Sequence, residues 1–323
     1  MEDTQKFMIR ISNLVKNFGS KYALDDVSFS VGKGEIVGFL GPNGAGKSTT
    51  MNIITGYLSS TSGEVKVGGI DIFENPDEAK KLIGFLPEQP PLYIDMTVDE
   101  YLSFVYELKG CTLNKKKHLE EVRSVTKIED VRRRLIKNLS KGYRQRVGIA
   151  QALIGNPPII IFDEPTVGLD PKQIIEIRNL IRNLGKTHTV ILSTHILSEV
   201  QSVCDRVVII NEGKIVADEK IESLSEVVQD RRRYTAKICG PQREVLSAIR
   251  SIQGVSRVEV TGERELDSYT YLIEAGQGVD IRKPLFFEMS KQGKAIIGLE
   301  AAQMNLEEIF IRIMDRQEEG GNK

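Results

Sequence analysis

The segment Gly41-Pro42-Asn43-Gly44-Ala45-Gly46-Lys47-Ser48-Thr49 constrains this chain more than any other stretch. It follows a compact apolar run, Glu35–Leu40, and opens a segment with helical patterning from Lys47 to about Thr55 that Gly56 ends. A glycine-rich turn between a buried strand and a helix suits a polyphosphate. Glycines let the backbone approach closely because no Cβ intervenes. The freed N–H groups and the helix N-terminus then point at the anion. Lys47 adds a mobile cation for the β- and γ-phosphates, and Ser48 offers a hydroxyl to Mg²⁺. Each charge-assisted hydrogen bond contributes ~1.5–3 kcal/mol, so several together hold a nucleotide. The alternative is a chance glycine turn, and the strand-before, helix-after context argues against it.

A second apolar run, Ile159–Phe162, ends in two acids, Asp163 and Glu164. Strand C-termini are where α/β sheets form ligand crevices. Asp163 is the natural partner for Mg²⁺, and Glu164 is placed to polarise an attacking water. Alone, the pair could merely cap a turn. Beside a phosphate loop, the catalytic reading is preferred.

The 323 residues suffice for one large domain and one small one. A formal net charge of -1 gives no global pull toward nucleic acid, so no nucleic-acid partner is expected. Local basic clusters at Lys115–Lys117 and Arg132–Arg134 read as solvated helix faces. Cys111, Cys204 and Cys239 are widely spaced, with no metal-ligand pattern, as for reduced thiols. The opening MEDTQKFMIR lacks the pattern of a signal peptide. No apolar run approaches the ~18–20 residues that span a bilayer.

Residues 1–225 read as one α/β domain with a helical insert at about 88–156. Short strands are expected at Met8–Leu14 and Val27–Val31, and apolar strands return at Pro158–Asp163, Thr189–Ser193 and Arg206–Asn211. Thr97-Val-Asp-Glu100 forms a capping box for an insert helix. Residues 231–323 form a second, smaller unit. Its strands are expected at Tyr234–Cys239, around Val258 and Val260, at Tyr269–Ile273 and at Lys294–Leu299, with helices after Pro241 and near Asp280–Lys291. This β-α-β-β-α-β order predicts an α+β, ferredoxin-like domain. A last amphipathic helix is expected behind an Asn305-Leu-Glu-Glu308 cap.

Leu139-Ser140-Lys141-Gly142-Tyr143, about twenty residues before the acidic strand, resembles the LSGGQ signature of the ABC ATPase family. Lys141 and Tyr143 depart from that pattern in the way of exporter-type, ABC-2-like subunits, the gliding-motility group among them. Ser140 and Gly142 remain, and the resemblance implies that they contact the γ-phosphate. Val167-Gly-Leu-Asp170 is similar to the family's D-loop, and Ser193-Thr-His195 to its switch, with His195 near the γ-phosphate. Phe18 matches the aromatic that stacks on adenine, a core phenylalanine being the other reading. Either Glu88 or Gln89 takes the place of the family's Q-loop glutamine, near Mg²⁺ and the attacking water. The resemblance covers about residues 8–221.

The family pattern implies a P-loop NTPase fold, Mg²⁺-dependent hydrolysis of ATP to ADP and phosphate, and two ATPase domains facing head to tail. One phosphate loop and one signature in the chain imply a homodimer, or a heterodimer with a paralogue. A separate transmembrane permease would be the partner, with export favoured and the chain cytoplasmic, peripheral on the inner face of the cell membrane. The competing reading is a soluble ABC ATPase serving translation or DNA. Translation-type ABC proteins usually carry two cassettes in one chain. DNA-associated types insert a long coiled coil, and only about ninety residues separate Lys47 from Leu139.

Overall fold

The computed structural model describes residues 7–223, 233–262, 267–276 and 278–301. The chain divides into two compact units, 1–221 and 222–323.

The first unit begins with β1 (Phe7–Phe18) and β2 (Lys21–Gly32), followed by β3 (Ile36–Leu40) and α1 (Lys47–Ile54). Next come β4 (Ser62–Val67), β5 (Ile70–Asp71), α2 (Pro76–Lys81) and β6 (Ile83–Leu86). Three helices follow: α3 (Val98–Leu108), α4 (Lys115–Thr126) and α5 (Lys141–Leu153). The unit closes with β7 (Ile159–Asp163), α6 (Pro171–Gly185), β8 (Thr189–Thr194), α7 (Leu197–Val203), β9 (Arg206–Asn211) and β10 (Lys214–Lys220).

Two sheets form. The antiparallel one has the order β2-β1-β4-β5, and the other runs β10-β9-β3-β8-β7-β6. In the second sheet β9, β3, β8, β7 and β6 pair in parallel. Every residue of β3 and β7 is buried, as in parallel strands covered on both faces. Side chains alternate between two cores. Ile159 and Ile161 pack with Phe39 and with Leu14 and Val65 of the antiparallel sheet. Ile160 and Phe162 pack instead with Tyr101, Val147 and Ile177 of the helical side. The Thr97–Glu100 capping box closes as the sequence implies: Thr97 accepts the Glu100 N–H, and Glu100 accepts the Thr97 N–H at 2.8 Å.

β1 and β2 extend well beyond the short strands expected. Asn13 and Asp26 take positive φ of 47° and 58°, and the register shifts beside them. Each such bulge inverts the in–out alternation, so the pattern stops being readable there. Arg132–Arg134 is a correction too. These residues lie on a turn after Glu129–Val131 rather than on a helix face, and Arg132 pairs with Glu129 at 3.1 Å.

The second unit comprises β11 (Arg233–Cys239), α8 (Gln242–Arg250), β12 (Val255–Val260), β13 (Ser268–Ala275), α9 (Arg282–Lys291) and β14 (Ile296–Ala301). Its sheet order is β12-β13-β11-β14 with every pairing antiparallel. That is the ferredoxin-like arrangement. Strict alternation along β11 turns Tyr234, Ala236 and Ile238 inward onto Val245, Ile249, Leu285 and Met289. Helix α9 starts two residues later than expected, because the Asp280 carboxylate accepts the Arg282 N–H at 3.0 Å in a preceding turn. The Asn305 cap and the helix expected beyond it lie outside the described residues.

Candidate functional site

The loop Gly41–Gly46 leaves the C-terminal end of β3 and enters α1. A Cβ on Gly41 would lie 2.3 Å from the Ile210 carbonyl oxygen, so only glycine fits against that strand. Gly44 and Gly46 take φ of 82° and 111°, the left-handed region that glycine adopts without strain. The resulting curl brings Lys47 back over its own loop. Its Nζ donates to the Gly41 oxygen at 2.9 Å and the Pro42 oxygen at 3.2 Å. It also lies 3.3 Å from Glu164 Oε1.

The next two strands of the sheet supply the acids and the histidine. Asp163 ends β7, nearly inaccessible, and accepts the Ser193 hydroxyl at 2.7 Å. Burial raises the Asp163 carboxyl above the ordinary aspartate value; hydrogen bonds from Ser193 and then Ser48 oppose it. Glu164 turns away from the strand at φ 50°, and its N–H donates to the Ser193 oxygen at 2.8 Å. His195 Nδ1 lies 2.9 and 3.0 Å from the two Glu164 oxygens, which requires the proton on Nδ1.

These groups converge. A cavity of about 540 Å³ is lined by Phe18, Asn43, Gly44, Gly46, Lys47, Ser48, Thr49, Glu88, Glu164 and His195. Phe18 is 55% exposed, with Lys16 Nζ 4.9 Å over its ring, so it is not a core residue. Gly41 and Pro42 face Lys47 through their carbonyls, while Ala45 is buried beneath the loop and accepts the Gly213 N–H. Lys21 and Ala23, which the sequence did not single out, share this wall, as does Val167 at the start of the D-loop segment. Lys21 and Ala23 reach the wall only through strand pairing and carry no sequence signal.

A second cavity of about 650 Å³ is lined by Ser48, Asp163, Glu88, Gln89, Lys109 and Gln151, among others. Glu88 therefore lines both cavities and Gln89 only this one. The Lys109 amine, pulled down to about 8 by burial, is held by the carbonyls of Gln151 and Ile154 at 3.0 Å each. Ser48, Asp163, Glu88 and Gln89 offer only oxygen donors and one amide, a set that fits Mg²⁺ rather than a softer ion. Among the described residues no group of three or more His, Cys, Asp or Glu could hold a metal alone.

Ser140 and Gly142 line neither cavity. Ser140 caps α5, its hydroxyl accepting the Tyr143 N–H at 3.4 Å. The Tyr143 hydroxyl donates to Asp130 at 2.8 Å. Gly142 is buried against Gln173, whose side chain a Cβ would meet at 2.6 Å. Asp170 caps α6 by accepting the Gln173 N–H at 2.9 Å. The signature segment and the Val167–Asp170 loop are thus neighbours through Gln173.

The sequence profile of the family described as ABC transporter matches residues 24–167. The bacitracin transport ATP-binding protein of Bacillus licheniformis is 32% identical over 95% of this chain and 97% of its own length. The linearmycin resistance ATP-binding protein of Bacillus subtilis (strain 168) is 33% identical over 96% of this chain and 99% of its own length. Among solved structures, a dimeric ATP-binding cassette in a post-hydrolysis state with ADP and Pi superposes with a TM-score of 0.60. It is 32% identical and covers 66% of this chain and 99% of that one.

Proposed function

The chain belongs to the ABC transporter family as an ATP-binding subunit of the exporter type, and on that premise we propose how its residues divide the work. The observation that carries the reading is the convergence of Lys47, Glu164 and His195 on the cavity walled by the glycine loop. The family is one of ATPases, so the reaction is nucleotide hydrolysis. Phe18 stacks on the adenine, and the Gly41–Thr49 loop holds the phosphates through its N–H groups. Lys47 exchanges its contact with Glu164 for the γ-phosphate. That exchange frees the carboxylate to take a proton from the attacking water. His195, bonded to both Glu164 oxygens, holds that carboxylate in place and faces the same cavity. Ser48 and Asp163, with Glu88 or Gln89, would hold Mg²⁺, which neutralises phosphate charge when bound.

Ser140 and Gly142 point to a second copy. They lie off the cavity, so their proposed γ-phosphate contact needs a partner's site. A solved relative is a dimer, which supports pairing of two such domains. We read the assembly as a homodimer, or a heterodimer with a paralogue. Among the described residues no helix is long and apolar enough to cross a membrane. Relatives named as transport ATP-binding proteins support a separate transmembrane permease as partner, with the chain working at the inner face of the cell membrane. Residues 1–225 serve as the ATPase domain, with the helical insert at about 88–156 passing motion to the permease. Residues 231–323 serve as an accessory domain. The bacitracin and linearmycin relatives match through that second domain, which supports an antimicrobial compound as cargo.

The test is Glu164→Gln, purified from membranes in mild detergent with ATP. Hydrolysis falls by about 10²–10⁴-fold, and the variant is trapped as an ATP-bound dimer with a polytopic membrane protein in stoichiometric amount. Hydrolysis at the parental rate would overturn the base assignment. Recovery on ribosomes or DNA, with no membrane protein, would sink the transport assignment.

A further inference from the structure

Behind the catalytic cavity sits a carboxylate that the mechanism above does not use. Glu199 on α7 is 0% exposed. Its Oε1 accepts the Thr166 hydroxyl, and its Oε2 accepts the Thr194 hydroxyl at 2.8 Å. Arg178 of α6 approaches Oε1 at 3.7 Å. Both threonines are themselves buried. The Thr194 hydroxyl also accepts the Ile196 N–H at 3.1 Å, so its orientation is fixed.

The two threonines occupy telling places. Thr166 stands two residues after Glu164 and directly before Val167 on the cavity wall. Thr194 stands between Ser193, whose hydroxyl holds Asp163, and His195, which holds Glu164. One side chain therefore ties the loop carrying the base to the loop carrying its histidine. Arg178 extends the tie to the helix that follows Val167–Asp170. A buried carboxylate is expensive to keep, and a well-packed apolar residue usually serves stability as well or better. Its connections join the segments whose mutual geometry hydrolysis depends on.

We propose that Glu199 is a positioning residue for ATP hydrolysis. Through Thr166 and Thr194 it fixes the placement of Glu164 relative to His195. Through Arg178 it couples that placement to the Val167–Asp170 segment. The proposal rests on the reading of Glu164 as general base.

Displacing a catalytic group by about 1 Å costs on the order of 10²-fold in rate while leaving most binding contacts intact. The test compares full-length Glu199→Gln, Thr194→Val, Thr166→Val and the triple variant by kcat and by the Kd for a fluorescent ATP analogue. Glu199→Gln is expected to lower kcat by about 10- to 100-fold and to change Kd by less than about threefold. The triple variant is expected to lose no more than Glu199→Gln alone, since the three groups act as one unit. Should Glu199→Gln fail to fold, Thr194→Val, which keeps the side-chain shape, carries the same comparison. A parental kcat in the folded variants would overturn the proposal. So would a Kd that rises in step with the fall in kcat, which marks general loosening. Glu164→Gln is run in parallel. If it is inactive while the Glu199 variant is parental, only the positioning role fails. If Glu164→Gln is itself parental, the base assignment falls and this inference with it.

Discussion

Lys47 Nζ lies 3.3 Å from Glu164 Oε1, and both side chains are almost wholly buried. Each is the other's counter-ion in the interior. Removing one partner of such a pair strands a charge, a loss of about 3 kcal/mol or more. Lys47→Met should therefore lower unfolding stability by about that amount. Adding Glu164→Gln should recover most of the loss. Urea unfolding of the two variants, without nucleotide, checks it.

Asp163 yields a pH prediction. Burial raises its folded pKa, so the folded protein holds this proton more tightly than the unfolded chain. Its favourable contribution is present below the unfolded pKa and disappears as pH rises through the folded value. At neutral pH the parent carries an unfavourable buried charge, which Asp163→Asn removes. The variant should melt higher than the parent near about pH 7, and the gap should close as pH falls toward about 4. Thermal melts without nucleotide or Mg²⁺ read this directly. Hydrolysis by Asp163→Asn should be lost at every pH.

Two glycines should behave differently. At Gly41 an added Cβ meets the backbone oxygen of Ile210 at 2.3 Å, which cannot yield. Gly41→Ala should cost about 2 kcal/mol or more. At Gly142 the obstacle is the end of the Gln173 side chain, which can swing aside. Alanine also favours the helix. Gly142→Ala should change monomer stability by less than about 1 kcal/mol, yet weaken ATP-dependent dimerisation measured by light scattering.

Phe18 is more than half exposed, so truncation touches little of the fold. Phe18→Ala should weaken nucleotide binding by about 2- to 12-fold, the value of one lost stacking contact. Phe18→Tyr should bind like the parent. Calorimetric titration with an ATP analogue distinguishes them.

The second unit has its own core, built from Tyr234, Ile238, Ile249, Tyr271 and Leu285. Expressed alone, residues 222–323 should unfold in a single cooperative urea transition. A gradual, non-cooperative signal would show dependence on the first unit.

Local grammar made much of this legible. The phosphate loop and the acids at the end of β7 are contiguous stretches whose chemistry depends on near neighbours in sequence. The ferredoxin-like order was readable because β11 and β13 carry the alternation that a one-faced core imposes. Bulges at Asn13 and Asp26 hid the lengths of β1 and β2. Glu88 and Gln89 could not be ranked, because adjacent residues differ only in which cavity wall they reach. Glu199 was invisible. It sits in an ordinary amphipathic turn, and its meaning arises only where Thr166 and Thr194 meet behind it.

The strand order β9-β3-β8-β7-β6 also has a bearing on synthesis. The phosphate loop emerges from the ribosome early, but its neighbour β3 pairs on both sides with strands made much later, β8 and β9. His195 and the Ser193 that steadies Asp163 come with that late material. A half-made chain thus owns the lysine and the glycines without the sheet that aligns them. Long-range parallel pairing is slow to form. The lysine, the base and the histidine therefore come together only once nearly the whole first unit has been made.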